Sequence, residues 1–156
     1  MRLTELLSEE RVAIRHVDGA HPLDKPETIR LLAEMLARGA GSDVTAVEHV
    51  LNERERLQST GIGEGVAIPH GALPQLETQF ASLLIVPEGV DFTAIDGLPV
   101  TLLFAVITPK RATGEHLKTL ARVSRLLRNK GFRDRLVTIG SPKEAYALIS
   151  NEEGDR

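Results

Sequence analysis

The sequence contains no cysteine and no tryptophan, and aromatic residues make up only 3% of its 156 positions. The missing thiol excludes disulfides, thiolate metal sites and cysteine catalysis. The scarcity of rings leaves Leu, Val, Ile and Ala to fill the core. Positive charge is not in excess either: the formal net charge is -3, and a binder of polyanions normally shows a basic stripe. No stretch approaches the ~20 apolar residues of a membrane span. The longest such segment, Val100 to Ile107, has the length of a strand. The opening Met-Arg-Leu-Thr-Glu-Leu-Leu has too short an apolar run for a signal peptide, and acids follow at once. These absences point to a soluble, cytoplasmic protein with no nucleic-acid partner and no membrane insertion.

What is present suits one globular domain. Hydrophobic residues make up 42% and charged residues 26%, and a chain of this length can bury a real core. The expected core covers about 2–150, with 151–156 a polar tail. Val12 to Ile14 reads as a short strand. Asp24, Pro26 and Glu27 form a helix start with a capping-box pattern. Ile29, Leu32, Met35 and Leu36 follow at helical spacing, and Gly39 and Gly41 end that helix. Ser42 is expected to open a second helix carrying Val44, Val47, Val50 and Leu51, running out near Arg56. Val66 to Ile68 predicts a short buried strand, closed by Pro69, which cannot donate to a ladder. Phe80 to Val86 and Val100 to Ile107 are nearly all apolar, as strands covered on both faces are. Asp96-Gly97 between them is a turn signal. A third helix starts at Thr113 or Gly114, with Leu117, Leu120, Ala121, Val123, Leu126 and Leu127 inward. Ser141 and Glu144 form another capping box, for a last helix through Ile149. Alternating helices and buried strands predict a single α/β domain with a mixed parallel and antiparallel sheet flanked by helices.

One segment asks for chemistry. From Ser59 to Gly71 the chain reads Ser-Thr-Gly-Ile-Gly-Glu-Gly-Val-Ala-Ile-Pro-His-Gly. Gly61, Gly63 and Gly65 allow positive φ and close approach to a ligand, and their amides could line an anion site. Ser59 and Thr60 add hydroxyl donors. No Gly-Lys-Ser/Thr follows, so this is not a Walker loop, and a strand rather than a helix follows, so it is not the dinucleotide fingerprint. The glycines lead instead into His70. A neutral imidazole is a good nucleophile near pH 7. If it attacked a phosphoryl group, the product would need donors around it, and Arg54, Thr60, the loop amides and His116 at a helix start are available.

These blocks carry a resemblance. Arg54-Glu55, the stretch from Ser59 to Gly71, and His116-Leu-x-x-Leu-Ala resemble the active-site signature and second-histidine helix of the fructose/mannitol class of enzyme IIA. That class comprises phosphocarrier domains of the bacterial phosphoenolpyruvate phosphotransferase system. Phe92 to Gly97 and the apolar strand after it also fit, so the resemblance spans nearly the whole chain. It implies that His70 accepts a phosphoryl group at Nε2 from a histidine of HPr or its paralogue NPr, and that Nδ1 faces a structural partner. It implies that Arg54 and His116 stabilise the group in transfer, with no metal and no cofactor. Relatives often carry Asn where this chain has Glu64; Glu64 is expected to point to solvent, as Gly63 and Gly65 allow.

Plainer readings stand beside these. His70 could be a satisfied strand-end histidine, His116 a cap, and Thr60 and Asp96 turn residues. Arg54 could belong to a solvated helix end, with Arg56 the fallback for the site role. Glu53 and Glu55 read as a solvated acidic face, and His16, His21 and His49 have no supporting pattern. A metal-dependent hydrolase using His70, His116 and Asp96 lacks close ligand spacing. A purely regulatory binding module is a third class. Chain length and the lack of an attached partner domain favour the stand-alone nitrogen-regulatory branch, which answers to a regulatory target protein. The alternative is a sugar-transport IIA that passes phosphate to a IIB domain.

Overall fold

A computed structural model describes residues 2–154. Its centre is a six-stranded mixed sheet. β5 (Phe80–Val90) and β6 (Val100–Pro109) form a long antiparallel pair, with Leu83 opposite Phe104 and Phe80 opposite Ile107. β1 (Val12–Ile14) lies parallel to β5 on the outer side. The other edge of β6 holds two short parallel strands end to end, β3 (Val66–Ala67) and β4 (His70–Leu73). β2 (Gly61–Gly63) folds back on β3 as an antiparallel hairpin.

The apolar runs behave as their composition demands. Along β6, Leu102, Phe104 and Val106 pack on one face, and Leu103, Ala105 and Ile107 on the other. Helices cover both faces, so neither face can be polar. α2 (Lys25–Ala40) and α3 (Val44–Leu57) cover one. α1 (Leu3–Leu6), α4 (Thr113–Leu126), α5 (Lys130–Val137) and α6 (Pro142–Gly154) cover the other. A single α/β domain results, as expected.

Asp24 caps α2 by accepting from the Glu27 amide at 2.8 Å, and Gly41 closes that helix in the left-handed region at φ 65°. Gly39 does not end the helix but lies inside it. The cap of α3 is Asp43, which accepts from the Thr45 amide at 3.3 Å, rather than Ser42. α5 went unanticipated; Asn129 caps it through the Phe132 amide at 3.0 Å, and Phe132 is buried. Ser141 caps α6, which continues past Ile149 to Gly154. Part of the expected polar tail is therefore helix, and the Glu153 carboxylate accepts from the Leu3 and Thr4 amides at 2.7 and 3.0 Å. Residues 155–156 of that tail lie outside the described residues. Leu117 and Ala121, expected inward on α4, are exposed, and Ala121 lines a cavity rather than packing on the sheet.

The interruption at Ile68-Pro69 positions the site. Val66 and Ala67 pair with Leu102 and Leu103, then His70 to Leu73 pair with Val106 to Pro109. Pro69 has no N–H to give, yet its carbonyl still accepts from the Val106 amide at 2.9 Å. The edge strand thus kinks and resumes, and His70 begins its second half. Gly71 follows for a steric reason. A Cβ there would meet Val50 Cγ2 at 2.9 Å, so only glycine lets α3 lie this close to β4.

Candidate functional site

The last turn of α3 and the start of β4 meet at His70. Its Nδ1 lies 2.8 Å from the Ile68 carbonyl oxygen. A carbonyl only accepts, so Nδ1 carries the ring hydrogen and Nε2 keeps a lone pair. That lone pair accepts from Arg54 Nε at 3.2 Å. Arg54 Nη1 also donates to the Gln58 carbonyl at 2.8 Å, satisfying a carbonyl at the end of α3. Of the cations weighed from sequence, Arg54 reaches the histidine. Arg56 pairs instead with Glu53 on the exposed side of the helix.

His116, in the first turn of α4, brings its ring centroid to 5.3 Å from that of His70, with the planes tilted by 54°. Its Nδ1 is buried and has no hydrogen-bond partner among the described residues. Burial, and then the charge of His70, pull the His116 pKa down to about 4. The pKa of His70 is also lowered. Burial is the main cause and the Arg54 charge adds to it, while the bond to the Ile68 carbonyl and the Glu55 carboxylate act the other way. Both imidazoles are therefore neutral at pH 7, so His116 stands ready as a neutral hydrogen-bonding group rather than a cation.

This has a consequence for acid stability. A histidine whose folded pKa lies below its ordinary value of 6.5 takes up protons more readily when unfolded. Its contribution is whole above that value and is lost as the pH falls toward 4. Urea midpoints of the wild type should drop across this window, and His116→Gln should flatten the drop. Identical slopes would assign the acid loss to other groups.

His70 opens into a cavity of about 410 Å³ whose wall includes Arg54, Ser59, Thr60, Ile62, Ile95 and Leu120. Its rim is apolar and open. Ile62 is 45% exposed and Ile95 68%; Leu117 of α4, outside the cavity lining, is 61% exposed.

The glycine stretch forms the β2–β3 hairpin. Gly63, Glu64 and Gly65 make its tight turn with φ of 101°, 57° and 81°. A Cβ on Gly63 or Gly65 would face Asp96 or Thr101, and neither residue lines the His70 cavity. The Gly61 amide donates to Ser59 Oγ at 3.0 Å, and that hydroxyl donates to the Phe92 carbonyl at 3.1 Å. Thr60 gives both its amide and its hydroxyl to Glu55. Ser59 and Thr60 thus reach the cavity wall with their hydroxyls already engaged.

Asp96 accepts from the Glu64 and Leu98 amides and is a turn residue. Among the described residues, no three His, Asp or Glu side chains gather as a metal site would require. Glu64 points outward as expected, largely exposed, and meets Arg133 at 3.0 Å. His16 and His21 pair with acids on the surface, and His49 is exposed. Glu55 is the clearest departure. It is not on a solvated face but buried, and Lys25 Nζ approaches it to 2.9 Å.

Comparison with known proteins agrees with this architecture. The family model of the phosphoenolpyruvate-dependent sugar phosphotransferase system, EIIA 2, matches residues 5–152, and the chain belongs to that family. Within it, the chain is 35% identical to a nitrogen regulatory protein of Bradyrhizobium diazoefficiens over 150 residues, covering 96% of this chain and 95% of that one. The crystal structure of nitrogen regulatory protein IIA-Ntr from Neisseria meningitidis superposes with a TM-score of 0.85 at 32% identity, covering 94% of this chain and 98% of the other. A fructose-specific EIIABC component of Bacillus subtilis is 28% identical across 98% of this chain, which spans only 24% of that protein. The family carries phosphoryl groups between proteins.

Proposed function

We propose that this protein accepts a phosphoryl group on Nε2 of His70 from a histidine of an HPr- or NPr-like carrier, in the cytoplasm, and that it acts in nitrogen regulation. The observation that carries the first part is the ring itself. Its Nδ1 hydrogen is fixed by the Ile68 carbonyl, and its Nε2 lone pair faces an arginine at the wall of an open cavity. The regulatory part rests on the nitrogen regulatory relatives, which match 96% and 94% of this chain.

The step balances simply. The His70 Nε2 lone pair forms the new N–P bond. The donor's P–N bond breaks, and its electron pair returns to the donor nitrogen. The hydrogen on Nδ1 stays where the Ile68 carbonyl holds it. The loaded ring is then cationic, which keeps the phosphoryl group transferable to the next acceptor. Arg54 must give up its bond to the lone pair, and its guanidinium turns to the incoming phosphoryl oxygens. His116, whose ring centroid lies 5.3 Å from that of His70, supplies a hydrogen bond to the same group. Transfer of this kind depends on positioning and on charge stabilisation. The exposed Ile62 and Ile95 around the cavity give a carrier protein an apolar rim to seat on.

A relay tests this. The purified protein, mixed with phosphoenolpyruvate, enzyme I and either HPr or NPr, should gain one acid-labile phosphoryl group that maps to His70. Absence of label with both donors on a folded protein would overturn the reading. Transfer onward to a IIB domain would favour the sugar-transport alternative, for which the fructose-specific relative is the supporting observation.

A further inference from the structure

Behind His70 lies a buried ion pair that the transfer step itself does not use. The Glu55 side chain is only 6% exposed, and Lys25 Nζ sits 2.9 Å from it. Lys25 stands at the first position of α2, where the helix dipole disfavours a cation, so its place there needs a tertiary reason. Glu55 supplies one, and the Phe92 ring, 4.7 Å from Nζ, covers the pair. Removing such a pair from water is costly, and a pair kept at that cost often fixes geometry rather than adding stability.

The geometry it fixes can be followed atom by atom. Glu55 accepts from the Thr60 amide at 3.0 Å and from the Thr60 hydroxyl at 2.6 Å. The Thr60 carbonyl accepts from the Ile68 amide at 3.0 Å. The Ile68 carbonyl accepts from His70 Nδ1 at 2.8 Å. Arg54, the residue before Glu55, reaches the other ring nitrogen at 3.2 Å. Two adjacent residues of α3 thus govern the two nitrogens of one imidazole, Arg54 directly and Glu55 through two peptide groups.

We propose that Glu55, locked by Lys25, is a positioning residue that holds the His70 hydrogen on Nδ1 by way of Thr60 and Ile68. The activity arm of its test rests on the phosphocarrier reading; the spectroscopic arm does not. The charged and titratable groups around the His70 ring are Arg54 and Glu55 from α3 and His116 from α4, with Lys25 of α2 acting on Glu55.

The test compares wild type, Glu55→Gln, Lys25→Met, Lys25→Arg and the double variant Lys25→Met/Glu55→Gln, by ¹⁵N NMR of the histidine rings and by phosphoryl transfer. In the wild type, His70 should show one protonated and one unprotonated ring nitrogen. In Glu55→Gln and Lys25→Met the two ring resonances should converge as the second tautomer becomes populated, and transfer should slow on the order of ten- to a hundredfold. In Glu55→Gln the His70 titration midpoint should also fall, because a neighbouring negative charge is gone. Lys25→Arg should restore the wild-type ring pattern. The double variant removes both charges together and so keeps the fold even where a single change does not; its ring resonances should still converge. Unchanged ring resonances and midpoint in natively folded variants would overturn the proposal, and so would slower transfer without any change at the ring. Converging resonances in a wild-type background that never accepts phosphate would leave the positioning role standing and sink the phosphocarrier reading instead.

Discussion

His70→Ala is expected to abolish phosphoryl acceptance completely while leaving the fold intact. The loss should be total because no other imidazole in the cavity has the same preparation. His116 is neutral and close, but its Nδ1 has no hydrogen-bond partner among the described residues to fix a tautomer. The fold should survive because His70 is only partly buried and its side chain makes two hydrogen bonds, one to a backbone carbonyl and one to the Arg54 guanidinium. Truncation frees Arg54, which keeps its bond to the Gln58 carbonyl. The check is intact-mass labelling in the relay beside the far-ultraviolet circular dichroism of the variant. Retained acid-labile label would move the acceptor elsewhere, with His116 the first place to look.

Arg54→Met should leave a protein that still carries phosphate on His70 but reaches that state about 10²–10³ times more slowly, the usual loss when one charge-stabilising donor is removed from a transfer site. Methionine keeps the length of the stem and its packing on α3 but cannot donate. Two effects oppose each other here. Losing Arg54 frees the Nε2 lone pair and removes a positive charge that lowers the pKa of His70, both of which favour attack. It also strips the phosphoryl group of its cation. The second effect should dominate, since the incoming group carries close to two negative charges and the guanidinium can pair with it in a bidentate way. Lys should rescue only part of the rate, because a point charge lacks that fork. Single-turnover transfer from the phosphorylated donor gives the rate directly, and a rate at or above wild type would make Arg54 a guard on the lone pair rather than a partner of the phosphoryl group.

Much of this was open to a reading of the residues because the decisive signals are local. The caps at Asp24 and Ser141 lie within three residues of what they satisfy. β5 and β6 announce themselves as uninterrupted apolar runs. His70 follows a proline that breaks a strand and precedes a glycine that admits a helix. What stayed hidden depends on distance in sequence. Glu55 looks like one acid in a charged helix end, and only the approach of Lys25 from another helix shows that it is buried. The three glycines suggest a ligand loop, but the sequence does not show that Asp96 and Thr101 stand beside two of them. Leu117 and Ala121 follow the helical period faithfully, but the period says which side is apolar and not whether the sheet lies opposite. α5 is short, and its cap, Asn129, sits in a run of charges that masks its two buried residues, Phe132 and Leu136.

The kinked edge strand has one more consequence. His70 pairs with Val106 in the middle of the sheet's longest hairpin, and the strand residues on both sides of the kink are hydrogen-bonded into the same neighbour. Its backbone is thereby paired along the sheet's central strand. On the reading proposed above, a phosphoryl group on the ring would be anchored to backbone held in the sheet on both sides of the kink. On that reading the added charge would lie beside the exposed Ile62 and Ile95, so a partner that touches the cavity wall would meet it directly.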